Sequence, residues 1–259
     1  MRILIICPIP IEYTTCRNTL SLRDRSPVLG CRAAHGSVSG VEIAAVESGP
    51  AKARTAAATV AGILECKPDL VVDSGSCAAL DSAIIIGTVL MASSCIEYDI
   101  SGKGLPDQVL PDMRLPSALD FLDREPREAT VRAAVAVGGR QGLQTRCGIQ
   151  ACGELLVYSR DFRDALHART GAAACNWETA GVFVAALRAA VPPLSFRAVT
   201  DLGDENARTD FRRNARLSAT GLYRCLRSLI EEGWFSAFLV SWGKTVQGAA
   251  DRLPKAVLP

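Results

Sequence analysis

The segment from Gly40 to Asp73 constrains the fold more than any other part of this chain. Gly40 to Glu47 is rich in β-formers, and Ser48-Gly49-Pro50 stops it. From Lys52 to Glu65 apolar residues recur at helical spacing (Ala53, Ala57, Val60, Ile63, Leu64). Lys67-Pro68 closes that helix, and Asp69 to Asp73 is a short apolar strand followed directly by Ser74-Gly75-Ser76. Strand, helix and strand in so few residues form a parallel βαβ unit. Arg2 to Cys7 adds a continuous apolar run, the mark of a strand buried on both faces. Parallel strands need helices on both sides, so the chain is an α/β protein.

The remaining pattern extends that layout. A short helix follows Pro8 and Pro10 from Glu12 to Leu20. Ile84-Ile85-Ile86 reads as a strand entering a turn. Ser101 to Pro116, with its glycines, prolines and charges, reads as a loop of functional length. Helices are expected over 116–122, 127–135, 162–169 and 215–232, and from Glu178 to about Ala190. Strands are expected over 143–149 and 194–200. Gly233 to Pro259 begins apolar and ends basic, which predicts a docked helix and a loose tail. No repeat or linker divides the chain. The organisation expected is one domain over 1–232 and a C-terminal helical extension over 233–259.

The charge balance excludes several classes. The 259 residues carry a net charge of +2, which gives no reason to expect nucleic acid or an anionic membrane as partner. Ten cysteines form no C-x-x-C pair, and His35 and His167 are the only histidines, so neither a metal site nor a cofactor is expected. The cysteines read as small buried hydrophobes in a reducing compartment. The apolar stretch Cys77–Ile96 is interrupted by Asp81, Gly87 and several serines, which argues against a membrane span. A soluble, cytoplasmic protein is expected.

Three acids sit at the edges of regular elements. Glu12 opens the first helix, Glu178 opens the helix after Asn176-Trp177, and Asp201 ends the strand Arg197-Ala198-Val199-Thr200. Each alone also suits a helix start or a turn. Together they have the chemistry to activate a water, hold a sugar hydroxyl and protonate a leaving base. Ser74-Gly75-Ser76-Cys77-Ala78 and Ser48-Gly49-Pro50-Ala51-Lys52 offer small residues where backbone N–H groups meet a ligand. Neither matches a nucleotide-phosphate loop.

The order of these segments, with Lys67-Pro68-Asp69, Ile86-Gly87, Asp99 and Phe211, resembles the purine nucleoside phosphorylase/nucleosidase superfamily. Within it the chain is most similar to the 5′-methylthioadenosine/S-adenosylhomocysteine nucleosidases, from Met1 to about Leu229. The resemblance implies a single-domain, three-layer α/β fold with a central mixed, partly closed sheet flanked by helices, usually dimeric. It implies a purine nucleoside as small-molecule partner and hydrolysis of the ribose–adenine bond of a 5′-modified adenosine. Glu12 would activate water and Asp201 would protonate the purine. Glu178 would bind the ribose hydroxyls, and Ser76 would lie near the water and ribose. Cys77, Ala78, Leu156, Val157, Trp177, Thr200 and Phe211 would complete the substrate site.

This chain departs from that pattern at several positions. Ala51 and Ala78 stand where the family usually has Gly. Trp177 replaces a smaller residue beneath the sugar, and Leu156 takes the place of an adenine-stacking aromatic. Three alternatives stay open: a nucleosidase for another 5′-substituted nucleoside such as futalosine, a phosphorylase of the same fold, and a non-catalytic nucleoside-binding homologue.

Overall fold

The computed structural model describes residues 1–100 and 114–248, with side chains to 245. β1 (Arg2–Cys7) runs between β4 (Val41–Glu47) and β5 (Leu70–Ala79), parallel to both. Ile3, Leu4, Ile5 and Ile6 are all buried, as expected for a strand covered on both faces. α2 (Lys52–Cys66) carries the chain from β4 across β1 to β5, which is the expected βαβ crossover.

Beyond β4 the sheet ends in β3 (Cys31–Val38) and the edge strand β2 (Arg23–Val28), both antiparallel. Neither was legible as a strand in the sequence. β2 reads Arg-Asp-Arg-Ser-Pro-Val and buries only Val28, so it has no core-facing alternation, and its charges and Pro27 suit an unpaired edge.

On the other side β5 pairs in parallel with β10 (Pro193–Asp201) and antiparallel with β9 (Ala174–Asn176). β9 pairs with β8 (Thr145–Cys152), β8 with β6 (Val89–Glu97), and β6 returns to β10. These five strands close a ring while the rest of the sheet stays open. This is the mixed, partly closed sheet expected from the sequence. β7 (Arg114–Pro116) extends β6.

Helices cover both faces. α1 (Pro10–Thr19), α3 (Arg124–Arg140), α6 (Ala207–Glu231) and α7 (Trp234–Gly248) share the largest core cluster. α2 and α5 (Thr179–Arg188) pack on the opposite face against Leu4, Ile6 and Val71. α4 (Arg160–Thr170) closes a smaller cluster through Leu166. In α7, Trp234 stacks on Phe238 at 5.8 Å, and Trp234 and Phe235 both meet Phe196 of β10 edge-on.

Several expectations need correction. β5 does not stop at Asp73. It continues to Ala79 because β10 pairs with it through residue 78, so Ser74-Gly75-Ser76 lies inside a strand rather than after one. Ile84-Ile85-Ile86 is no strand. Asp81 accepts the N–H of Ala83 on its carboxylate and that of Ile84 on its carbonyl, making a turn in which Ile85 is exposed. The strand there begins at Val89. α6 starts at Ala207, earlier than expected, because its first two turns (Ala-Arg-Thr-Asp-Phe-Arg-Arg-Asn) are largely polar and show no apolar period. Of the expected 101–116 loop, residues 101–113 lie outside the described residues and 114–116 form β7. The expected tail from 249 onward also lies outside them. Among the described residues no helix is long and apolar enough to cross a membrane.

Candidate active site

Glu12 sits on the first turn of α1, anchored at both carboxylate oxygens. Its Oε2 accepts the N–H of Ile9 at 3.1 Å, closing the helix start on itself. Its Oε1 accepts the Ser76 N–H at 2.7 Å and the Ser76 hydroxyl at 2.8 Å. Gly75 makes this contact possible. With φ near +150°, a Cβ there would sit 3.0 Å from both carboxylate oxygens and 3.1 Å from Arg197 Nη1. Burial pushes the Glu12 carboxyl up to about 7, opposed by the Arg197 charge and reinforced by Glu178.

Arg197 is the buried cation at the centre. It lies mid-β10, 1% exposed, facing the inside of the ring. Its Nε donates to Asp73 Oδ2 at 3.0 Å, Nη2 donates to Asp73 Oδ1, and Nη1 donates to Glu178 Oε2 at 2.8 Å and to the Ser76 carbonyl at 3.0 Å. Asp73 also accepts the hydroxyls of Thr179 and Ser195, each at 2.7 Å. A charge this deep is tolerated only when paired and fully hydrogen-bonded, and here two carboxylates share it.

Glu178 caps α5. Asn176 Oδ1 accepts the N–H groups of both Glu178 and Thr179 at 2.9 Å, which fixes the helix start. The second carboxylate oxygen of Glu178 accepts the Ala51 N–H at 3.2 Å. That N–H points inward because Ala51 holds φ +83° and ψ 153°, a region that non-glycine residues rarely adopt. Close packing of α2 on α5 sets the distance: a Cβ on Gly181 would lie 2.3 Å from the Lys52 carbonyl. Lys52 in turn bonds Glu97 at 3.0 Å and Asp99 at 2.8 Å, tying this corner to the end of β6. Burial raises the Glu178 carboxyl and Arg197 opposes the shift.

Asp201 ends β10, which shifts register against β5 there. Its carboxylate accepts the Thr200 hydroxyl at 3.0 Å and the Gly203 N–H at 3.1 Å. Burial raises it to about 6, helped by the nearby charges of Asp210 and Asp204 and opposed by those two hydrogen bonds.

One cavity of about 440 Å³ joins these groups. Glu12, Ser76, Cys77, Ala78, Leu156, Val157, Trp177, Glu178, Thr200, Asp201 and Phe211 all line it, so the structure brings together every site residue expected from the sequence. Pro8, Ile9, Pro50, Cys175, Asn176, Ala207, Arg208 and Arg212 line it too and were not anticipated. Arg197 and Asp73 were missed as site components. Their signal was present: an Arg and an Asp each inside an otherwise apolar strand need a buried partner. Chemically, the cavity holds a carboxyl poised near neutrality beside a serine, a second carboxylate fixed by a buried guanidinium, and a third able to carry a proton.

Comparison with known proteins agrees with this architecture. The phosphorylase superfamily model matches residues 2–231. The 5′-methylthioadenosine/S-adenosylhomocysteine nucleosidase of Lysinibacillus sphaericus is 24% identical over 213 residues, covering 82% of this chain and 90% of the relative. Two Helicobacter pylori structures share the fold at 21% identity, each covering 90% of this chain and 98% of their own. One is a futalosine hydrolase (TM-score 0.76) and the other a 5′-methylthioadenosine/S-adenosylhomocysteine nucleosidase (TM-score 0.77). The residues matched span the open sheet, the closed ring and all three acids, and the chain therefore belongs to the phosphorylase superfamily.

Proposed function

We propose that this protein is a purine nucleoside N-ribosyl hydrolase that releases adenine from a 5′-modified adenosine such as 5′-methylthioadenosine or S-adenosylhomocysteine. The observation that carries this reading is the meeting of Glu12, Glu178 and Asp201 around one cavity, with Glu12 near pH 7 and Asp201 near pH 6. Cleaving the ribose–purine bond builds positive charge on the sugar and negative charge on the base. Glu178, locked by Arg197 and the Ala51 N–H, holds the ribose hydroxyls and faces the developing cation without having to reorient. Glu12, set by Ser76 and Ile9, takes the proton of the attacking water. Asp201, whose affinity for a proton is raised by burial, supplies a proton to the purine. The scheme parallels paired-carboxylate glycoside hydrolysis with a base as leaving group.

Water rather than phosphate is the nucleophile in this reading. A phosphorylase needs cationic or N–H groups at the nucleophile site, whereas Glu12 brings a carboxylate that takes the Ser76 N–H, and Arg197 is already committed to Asp73, Glu178 and the Ser76 carbonyl. The names of the relatives at this fold and length are consistent with the choice. Adenine release from methylthioadenosine and adenosylhomocysteine, assayed with and without inorganic phosphate, tests it. Strict phosphate dependence refutes it.

Leu156 and Trp177 in the cavity favour one second reading, another 5′-substituted nucleoside such as futalosine, and a nucleoside panel separates the two. The proposal carries with it a homodimer in the cytoplasm, tested by light scattering and by fractionation.

A further inference from the structure

Two arginines line the cavity with no ion-pair partner among the described residues. Arg208 and Arg212 lie one turn apart on the first two turns of α6, either side of Phe211, and all three border the cavity. Both arginines are exposed, so they stand at its rim rather than its floor. Neither side chain makes a hydrogen bond or ion pair with any described residue. Acids close in sequence do not compensate them. Asp204 and Glu205 face Arg160, and Asp210 forms no ion pair with either arginine.

Helix stability does not explain this placement. Like charges four residues apart repel, and cations in the first turn oppose the helix dipole. Other exposed arginines of the same helix, Arg213, Arg216 and Arg224, also form no ion pair with a described residue; Arg208 and Arg212 are set apart by bordering the cavity.

We propose that Arg208 and Arg212 are specificity determinants that receive an anionic group, a carboxylate or a phosphate, on the 5′ substituent of the nucleoside. This rests on the reading of the cavity as a nucleosidase site. In that reading Glu178 takes the ribose hydroxyls and Asp201 the base, so the substituent at C5′ is the part of the substrate left to run toward the exposed rim. Phe211 between the arginines gives the linking carbons an apolar surface, and the guanidinium forks match a carboxylate or a phosphate. The preferred substrate class is therefore an acidic 5′-substituted adenosine rather than a neutral thioether.

The test compares kcat/KM for adenine release from a matched pair, 5′-butylthioadenosine and 5′-(3-carboxypropylthio)adenosine, with adenosine 5′-monophosphate against adenosine as a second pair. The wild-type protein is expected to favour one acidic member by about tenfold or more, and the preference shrinks as salt rises. The favoured pair tells a carboxylate on an arm from a phosphate at C5′. Arg208→Gln and Arg212→Gln each lower the acid-to-neutral ratio about three- to fivefold, and the double variant brings it near one. Arg212→Lys retains most of the ratio. Arg213→Gln, exposed on the same helix outside the cavity lining, leaves it unchanged.

A wild-type ratio near one for both pairs, or a ratio that survives the double variant, overturns the inference while leaving the nucleosidase reading intact. Turnover that requires inorganic phosphate and loses that requirement in the double variant also overturns it, since the arginines would then serve the nucleophile. If no compound is hydrolysed, the nucleosidase reading fails instead. The same acid-to-neutral ratio is then read from calorimetric dissociation constants, and equal affinities reject the role of the arginines.

Discussion

The protonation states the mechanism requires are opposite to those the buried carboxyls prefer, and this makes the pH dependence sharply testable. Glu12 must be ionised to accept a proton, and its ionised fraction falls as pH drops through about 7. Asp201 must be protonated to donate one, and its protonated fraction falls as pH rises through about 6. The base thus titrates above the acid. With independent titration the competent pair reaches a maximum near pH 6.5, where roughly one molecule in twenty holds both states. At pH 5 and at pH 8 the competent fraction is roughly sixfold lower than at the maximum. The assay is kcat/KM for adenine release from methylthioadenosine across pH 4.5 to 9 at constant ionic strength, because this parameter reports the free enzyme. Asp201→Asn is expected to remove the alkaline limb and to slow adenine release by about two to four orders of magnitude. It should slow a nitrophenyl riboside, whose leaving group needs no proton, far less. A profile flat from pH 5 to 8, or an Asn variant that slows both substrates equally, would refute the assignment of base and acid.

Three other outcomes follow from the supporting residues. Ala51→Gly relieves a backbone conformation that is almost glycine-only, and a melting curve should show a gain of about 1 kcal/mol after the added chain entropy is offset. Arg197→Met strands Asp73 and Glu178 without their cation and should cost about 3–5 kcal/mol in denaturant unfolding; a near-native midpoint would mean the pair contributes nothing net. Gly181→Ala drives a methyl into the Lys52 carbonyl, so α2 must move away from α5. It should cost about 1–3 kcal/mol and raise KM, because the Ala51 N–H leaves Glu178.

Much of this fold was legible because its central strands are covered on both faces. β1 is a nearly continuous apolar run, β10 is buried along its whole length, and the α2 period fixes the crossover between β4 and β5. The edge hairpin β2–β3 was invisible for the opposite reason: a strand exposed at the sheet border carries charge and proline instead of alternation. β5 was cut short because Ser74-Gly75-Ser76 has turn composition. What keeps it extended is pairing with β10, more than one hundred residues later in the chain, and no local pattern reports that.

The site divides along the same line. The three acids stood at element edges, where a side chain can be held rigidly against a cleft, and the resemblance supplied their companions. Sequence periodicity does not reveal why those acids are held by different partners. That depends on Arg197, which reads locally as one polar residue in a strand yet touches Asp73, Glu178 and the Ser76 carbonyl at once. Because Asp73 and Glu178 already neutralise it, the cation offsets only part of the burial cost of Glu12, and Glu12 stays near neutrality while Glu178 is locked. A single guanidinium that hydrogen-bonds Asp73 and Glu178 but not Glu12 thus fixes one carboxyl and leaves the other to Ser76 and Ile9. In the proposed mechanism the distinction between holding the sugar and moving the proton therefore lies in long-range pairing and not in residue type, since both acids are glutamates.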